Sequence, residues 1–246
     1  MPTSDTPSHI VRSYAEDLKR LRDMIARMGG LAERQVADST TALVRRDTDL
    51  AAEVVIRDGA LDTLEREIEQ FCVRLLALRQ PMAGDLRLIV ACMKISQDLE
   101  RIGDYARNAA KRAIVISSQP MFGSMNGFSR LAQLVQENLK GAIDALVEND
   151  VARADEVWAA DEPVDDIYNG IFRELLTFMM EDPRNITGAT HLLFVAKNLE
   201  RIGDHATNIA ERVHFAVTGD NLPDERPKSD VSAYAVVRVP SSERSS

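Results

Sequence analysis

Aromatic residues are scarce in this 246-residue chain, at 5%, and it has two cysteines and four histidines. So few aromatics, with Gly and Pro together at only 21 positions, argue against a sheet protein, whose strands and turns draw on those residues. Two cysteines build no disulfide framework. Cys72 and Cys92 lie on apolar helical stretches and read as small core fillers in a reducing compartment. The histidines lack the partner spacing of a His-ligated metal: His205 follows Asp204, but Tyr105 holds the matching place one hundred residues earlier. No Lys/Arg block is present and the net charge is −9, which excludes a nucleic-acid face, because neutralising phosphates takes clustered positive charge. No stretch approaches the roughly 18 uninterrupted apolar residues of a membrane span. The start, "MPTSDTPSHI", has no basic region ahead of an apolar run. A cytoplasmic location without membrane insertion is expected.

What is abundant is Ala, Leu, Arg and Glu within a 45% hydrophobic composition, the usage of long helices, and an all-α fold is expected. Ile10, Tyr14, Leu18, Leu21, Ile25 and Met28 recur every three or four positions, predicting one long helix to about residue 46. "RDTD" at 46–49 offers N-caps for a second helix through Val54, Leu61, Leu64, Ile68, Phe71 and Leu75, ended by Pro81. A third runs from about 85 to 116. "SSQPMFGSMNG" then gathers turn residues between helical patterns. Beyond it the programme repeats: helices over about 128–148 and 151–180, the second preceded by a cap at "END", then "EDPRN" and a last helix to about 217.

Between 99–112 and 199–212, "LERIGDYARNAAKR" and "LERIGDHATNIAER" share ten of fourteen residues, and "ALV" at 42–44 returns at 145–147. This is an internal duplication of a three-helix unit. The expected division is a first repeat over 8–117, a linker over 118–127, a second repeat over 128–217 and a disordered tail over 218–246, in which "AYAVVRV" is a possible strand or docking peptide.

Glu100 and Asp104, and their counterparts Glu200 and Asp204, are four apart, so each pair points one way from its helix. Like charges so placed cost about 0.2–0.5 kcal/mol unless answered. The preceding helices carry matching pairs, Asp58 with Asp62 and Asp161 with Asp165. Taking Pro81 and Pro183 as corners of antiparallel hairpins, every pair lies roughly 30 Å from its corner at 1.5 Å per residue. Four carboxylates thus meet at one level in each half, and a multivalent cation would allow all of them to stay ionised. Oxygen donors without thiolate suit magnesium, manganese, calcium or iron, and zinc is admissible. Glu65 and Glu69 extend the first acidic stripe but Tyr168 and Phe172 replace them in the second half, so they read as surface charges. Gly103 and Gly203 each cost about 1 kcal/mol inside a helix, which either close packing or room at a metal site would offset. Arg101 and Arg201 project about 100° from the preceding Glu and are expected to meet a neighbouring helix or solvent.

"SQDLERIGDYARN" and "AKNLERIGDHATNIAE", with the Asp-x-x-x-Asp on each preceding helix, resemble the paired signature of the PhoU family, bacterial regulators of phosphate uptake. The resemblance covers about residues 10–217. It implies two three-helix bundles, six long helices in all, related by pseudo-twofold symmetry, motifs that carry multinuclear clusters of divalent or ferric ions, and a homodimer. Mapped here, the ligands are Asp58, Asp62, Glu100, Asp104, Asp161, Asp165, Glu200 and Asp204. It implies a negative regulator that contacts the ATPase subunit of a phosphate ABC transporter and a phosphate sensor histidine kinase.

Two other readings stand beside it. A di-iron oxidase or two-metal phosphatase would make the clusters catalytic, but no Glu-x-x-His motif lies at either level and neither a nucleophile nor a substrate clamp is visible. A scaffold held by helix packing alone would leave the acidic pairs as solvated charge.

Overall fold

Asp47 and Asp150 start helices in the same way. Each side chain accepts a hydrogen bond from the backbone N–H three residues on, Leu50 at 2.9 Å and Arg153 at 3.1 Å, satisfying a donor that the first helical turn leaves unpaired. Each backbone N–H in turn reaches 2.9 Å back to the preceding helix, to the carbonyls of Ala42 and Ala145. The residues just before them, Arg46 (φ 56°) and Asn149 (φ 54°), are left-handed and close those helices. The same turn therefore appears twice, at the caps expected from "RDTD" and "END".

The computed structural model describes residues 6–120 and 123–223. The chain is all-α, two tandem three-helix bundles related by pseudo-twofold symmetry, with no strand among the described residues. The elements are α1 (Thr6–Arg45), α2 (Thr48–Arg57), α3 (Gly59–Arg79), α4 (Ala83–Ser117), α5 (Asn126–Glu148), α6 (Val151–Ala159), α7 (Asp161–Glu181) and α8 (Ile186–Thr218), with a 3₁₀ turn at Pro183–Asn185. The middle helix of each bundle, expected as continuous, is broken: α2 from α3 at Asp58, α6 from α7 at Ala160. Pro163 has no N–H to give Ala159, which ends α6. In the first half Gly59 follows the break, and Leu61 N–H bonds the Asp58 carbonyl at 2.9 Å, a tighter three-residue turn. The "AYAVVRV" segment lies outside the described residues.

The two bundles share one core. Leu21, Ile25, Met28, Ile68, Ile89, Leu99, Leu131 and Leu139 are fully buried in one contiguous cluster, with Cys72 and Cys92 among them as expected. The most extensive contact is α4 against α8, followed by α1 against α4, and α1 also packs on α5. Small residues on α4 and α8, such as Ala106, Ala109, Ala206 and Ala210, are buried in this core, and side chains so short let packed helices approach closely. Both homologous pairs run antiparallel. On α4 and α8, Asp98 meets Arg212, Tyr105 meets His205 and Arg112 meets His191. On α1 and α5, Arg22 bonds Asn149 at 3.1 Å while Gly29 faces Ile143.

Candidate metal centre

In the first half the acidic level is built from three helices. Asp58, 3% exposed, sits at the break between α2 and α3. Its Oδ1 accepts the Gln35 amide from α1 at 2.9 Å, and its Oδ2 accepts Arg107 of α4. Arg107 is one turn beyond Asp104, and its other terminal nitrogen lies 2.6 Å from Asp104 Oδ1. One guanidinium thus bridges Asp58 and Asp104, two of the four carboxylates expected to converge. Arg101, expected to turn from Glu100 toward a neighbouring helix or solvent, is 61% exposed to solvent, yet its guanidinium also lies 3.6 Å from Glu100 and 3.3 Å from Asp104. Its long stem bends back along the helix, which Cα directions alone do not reveal. Burial, followed by the Asp104 charge, pushes the Glu100 carboxyl up to about 7. Asp62 is half-buried on α3. Glu65, read as a surface charge, is also half-buried, its carboxyl raised by burial and then by Glu69 and Asp62.

The second half repeats the level with other neighbours. Asp161, the first residue of α7, is 3% exposed, Asp165 4% and Glu200 of α8 6%, while Asp204 is half-buried. Asn138, at the place of Gln35, has its amide 3.5 Å from the Ala160 carbonyl at the break. Lys197 Nζ is 2.8 Å from Glu200 Oε1 and 4.9 Å from the Tyr168 ring. The place of Arg107 is taken by Thr207, which is buried and donates its hydroxyl to the Gly203 carbonyl at 3.1 Å. Arg201 reaches across to the Tyr105 ring at 5.7 Å, a neighbouring helix as expected.

The two glycines serve close packing. A Cβ on Gly103 would fall 2.3 Å from Leu61 Cδ1, and one on Gly203 would fall 3.1 Å from Val164 Cγ1. Among the described residues no three His, Cys, Asp or Glu side chains converge closely enough to hold a metal as they stand. Each set would have to draw in around an ion. The sets differ in how they fit one. The first is charge-compensated from within by Arg107 and Arg101. The second holds three carboxylates at 6% exposure or less, hard donors of the kind that suit magnesium, manganese or iron.

The sequence matches the PhoU domain twice, over residues 25–113 and 128–213. The chain belongs to the PhoU family. It is 56% identical over 224 residues to a protein of Caulobacter vibrioides named phosphate-specific transport system accessory protein PhoU homolog, spanning 91% of this chain and 97% of that one. The homolog of that name from Rhizobium meliloti is 47% identical over 227 residues, 92% of this chain and 96% of its own. Among solved structures, PhoU from Pseudomonas aeruginosa superposes with a TM-score of 0.81 at 41% identity, over 84% of this chain and all of that one. The phosphate transport system regulatory protein PhoU from Streptococcus pneumoniae gives 0.80 at 26% identity, over 85% and 99%. No helix of this PhoU-family chain is long and apolar enough to cross a membrane, among the described residues.

Sequence reasoning missed Arg107, Gln35 and a buried cluster at the α4–α8 contact. There Asp98, 4% exposed, lies 2.9 Å from His205 Nδ1 and accepts Arg212 Nε at 2.7 Å. A signal was present in the repeated block: its four mismatches fall at 105, 107, 109 and 111. Two of them distinguish Arg107 from Thr207 and Tyr105 from His205.

Proposed function

We propose that this chain regulates a phosphate transport system in its cell, as a cytoplasmic negative regulator of phosphate uptake and of the phosphate-starvation response. The full-length match carries the reading: a relative named as a phosphate-specific transport system accessory protein homolog aligns over 97% of its length, both halves included. The protein acts by contact. Its partners are the ATPase subunit of the phosphate ABC transporter and the phosphate sensor histidine kinase, and a second copy completes a homodimer. Helices of 40, 35 and 33 residues present these surfaces on a stiff frame, with Ile56, Leu78 and Met82 left apolar in solvent. We read it as a binding protein rather than an enzyme, because both acidic levels offer carboxylates with basic side chains rather than a nucleophile beside a base. Asp161, Asp165, Glu200 and Asp204 would hold a divalent or ferric ion of iron, manganese, magnesium or zinc. Such an ion neutralises the set and ties α7 to α8. At Asp58, Asp62, Glu100 and Asp104 the guanidiniums already answer much of the charge.

Deleting the gene is expected to leave phosphate uptake and starvation-induced genes high in phosphate-rich medium, with the native gene restoring control. Normal uptake and normal repression in the deletion strain at high phosphate would overturn the reading.

A further inference from the structure

The two acidic levels descend from one repeat, so each is the natural control for the other. In the first, Asp58 is buried on every side, and its oxygens are taken by the Gln35 amide and the Arg107 guanidinium. Asp104 is held by Arg107 at 2.6 Å and Arg101 at 3.3 Å. A guanidinium carries a permanent charge and five donors in a planar fork, which lets it bridge two carboxylates much as a small cation does. An ion competing for Asp58 and Asp104 has to displace Arg107 and leave that partly buried charge without its acceptors. In the second level the corresponding residue is Thr207, uncharged and bonded to its own helix, and the counterpart of Arg101 has left for the ring of Tyr105. Lys197 is present beside Glu200, but as a single ammonium on a flexible stem that is 33% exposed.

We propose that the guanidinium of Arg107 takes the place of a metal cation in the first level, so that metal uptake by this chain is confined to the second. The confinement rests on the metal reading of the second level given above; the role of Arg107 has a test of its own.

The experiment is equilibrium dialysis of the full-length chain against Mn²⁺, with bound ion counted by elemental analysis and its coordination followed by electron paramagnetic resonance. The native chain is expected to retain Mn²⁺, Glu200→Ala/Asp204→Ala to lose it, and Glu100→Ala/Asp104→Ala to retain it in full. Arg107→Thr, which copies the second level, is expected to bind roughly twice the native amount, since a second set of carboxylate ligands is released from the guanidinium. Adding Glu100→Ala/Asp104→Ala to Arg107→Thr returns uptake to the native value, and Arg107→Lys, which keeps the charge, stays at it. Loss of about half the bound Mn²⁺ in Glu100→Ala/Asp104→Ala overturns the proposal, as does unchanged uptake in a folded Arg107→Thr. If Arg107→Thr loses its helical circular dichroism, the Glu100→Ala/Asp104→Ala comparison decides. A native chain that binds no Mn²⁺ defeats the metal reading of the second level. Uptake by Arg107→Thr in that case still supports the guanidinium as the stand-in cation, and its absence removes that as well.

Discussion

Tyr105 and His205 hold matching positions in the two halves and face each other, ring centroids 5.6 Å apart. Residues that correspond by repetition meet where the pseudo-twofold axis passes between α4 and α8. Beside that point the symmetry is broken by charge: Asp98 on α4 joins His205 and Arg212 on α8.

Asp98→Ala is therefore expected to strand the Arg212 guanidinium and leave the His205 ring without its acceptor-side partner at the junction of the halves. A hydrogen bond to a charged group is worth about 1.5–3 kcal/mol, and Arg212 keeps partial access to water, 28% exposed. A loss of about 2 kcal/mol is expected by urea denaturation, with much of it already absent in an Arg212→Leu background. A midpoint equal to the native one would contradict this.

Gly29 and Gly30 are neighbours in α1 with opposite surroundings. A Cβ at position 30 meets nothing within 4 Å, whereas one at 29 would lie 2.9 Å from Ile143 Cγ1 of α5. Gly30→Ala should stabilise by about 0.5–1 kcal/mol through helix propensity. Gly29→Ala should forfeit that gain and lower stability by about 1 kcal/mol or more, because Ile143 is itself buried at the contact. Paired thermal melts decide, and equal melting temperatures for the two variants would refute the argument.

Burial pushes the Cys72 and Cys92 thiols up to about 12 from 9. A raised thiol value favours the neutral form in the folded state, so the stability linked to it is intact below pH 9 and is lost as pH rises toward 12. At pH 8 the native protein should react with a thiol-specific disulfide reagent far more slowly than the guanidinium-unfolded chain, whose two thiols label at once. Rapid labelling of the native protein would show that this part of the core opens.

Arg46 bears a left-handed backbone, φ 56°, and its guanidinium donates to the carbonyls of Ser117 and Gln119 at 2.5 Å each at the end of α4. Arg46→Ala loses those bonds and keeps the strain. Arg46→Gly loses the bonds but relieves a left-handed cost of roughly 1 kcal/mol. Both variants should be destabilised, with glycine above alanine by about that amount in chemical denaturation. The reverse order would mean that the turn does not hold its conformation in solution.

The periodic apolar spacing and the caps at Asp47 and Asp150 made the long helices readable from sequence, because each is a local property of a few residues. Repetition of "LERIGD" exposed the duplication for the same reason. The breaks at Asp58 and Ala160 were not anticipated, although Pro163 was in plain view, since helical periodicity runs straight through a one-residue interruption. At the acidic levels the carboxylates were legible as pairs four residues apart. Their answering groups were not: Gln35 arrives from a helix 23 residues away in sequence. Arg107 turns from α4 onto a carboxylate 49 residues earlier, and nothing in its spacing says which helix it faces.

The broken symmetry beside Tyr105 and His205 bears on what each half could do alone. Two copies of the first half, joined through α4 in the same antiparallel manner, would set Asp98 opposite Arg112 on both sides and keep a carboxylate for every arginine. Two copies of the second half would set Arg212 opposite Asn198 and keep none. Dependence therefore runs one way, and joining the halves in a single polypeptide fixes their ratio at one to one, so that Arg212 is always made together with the acid that receives it.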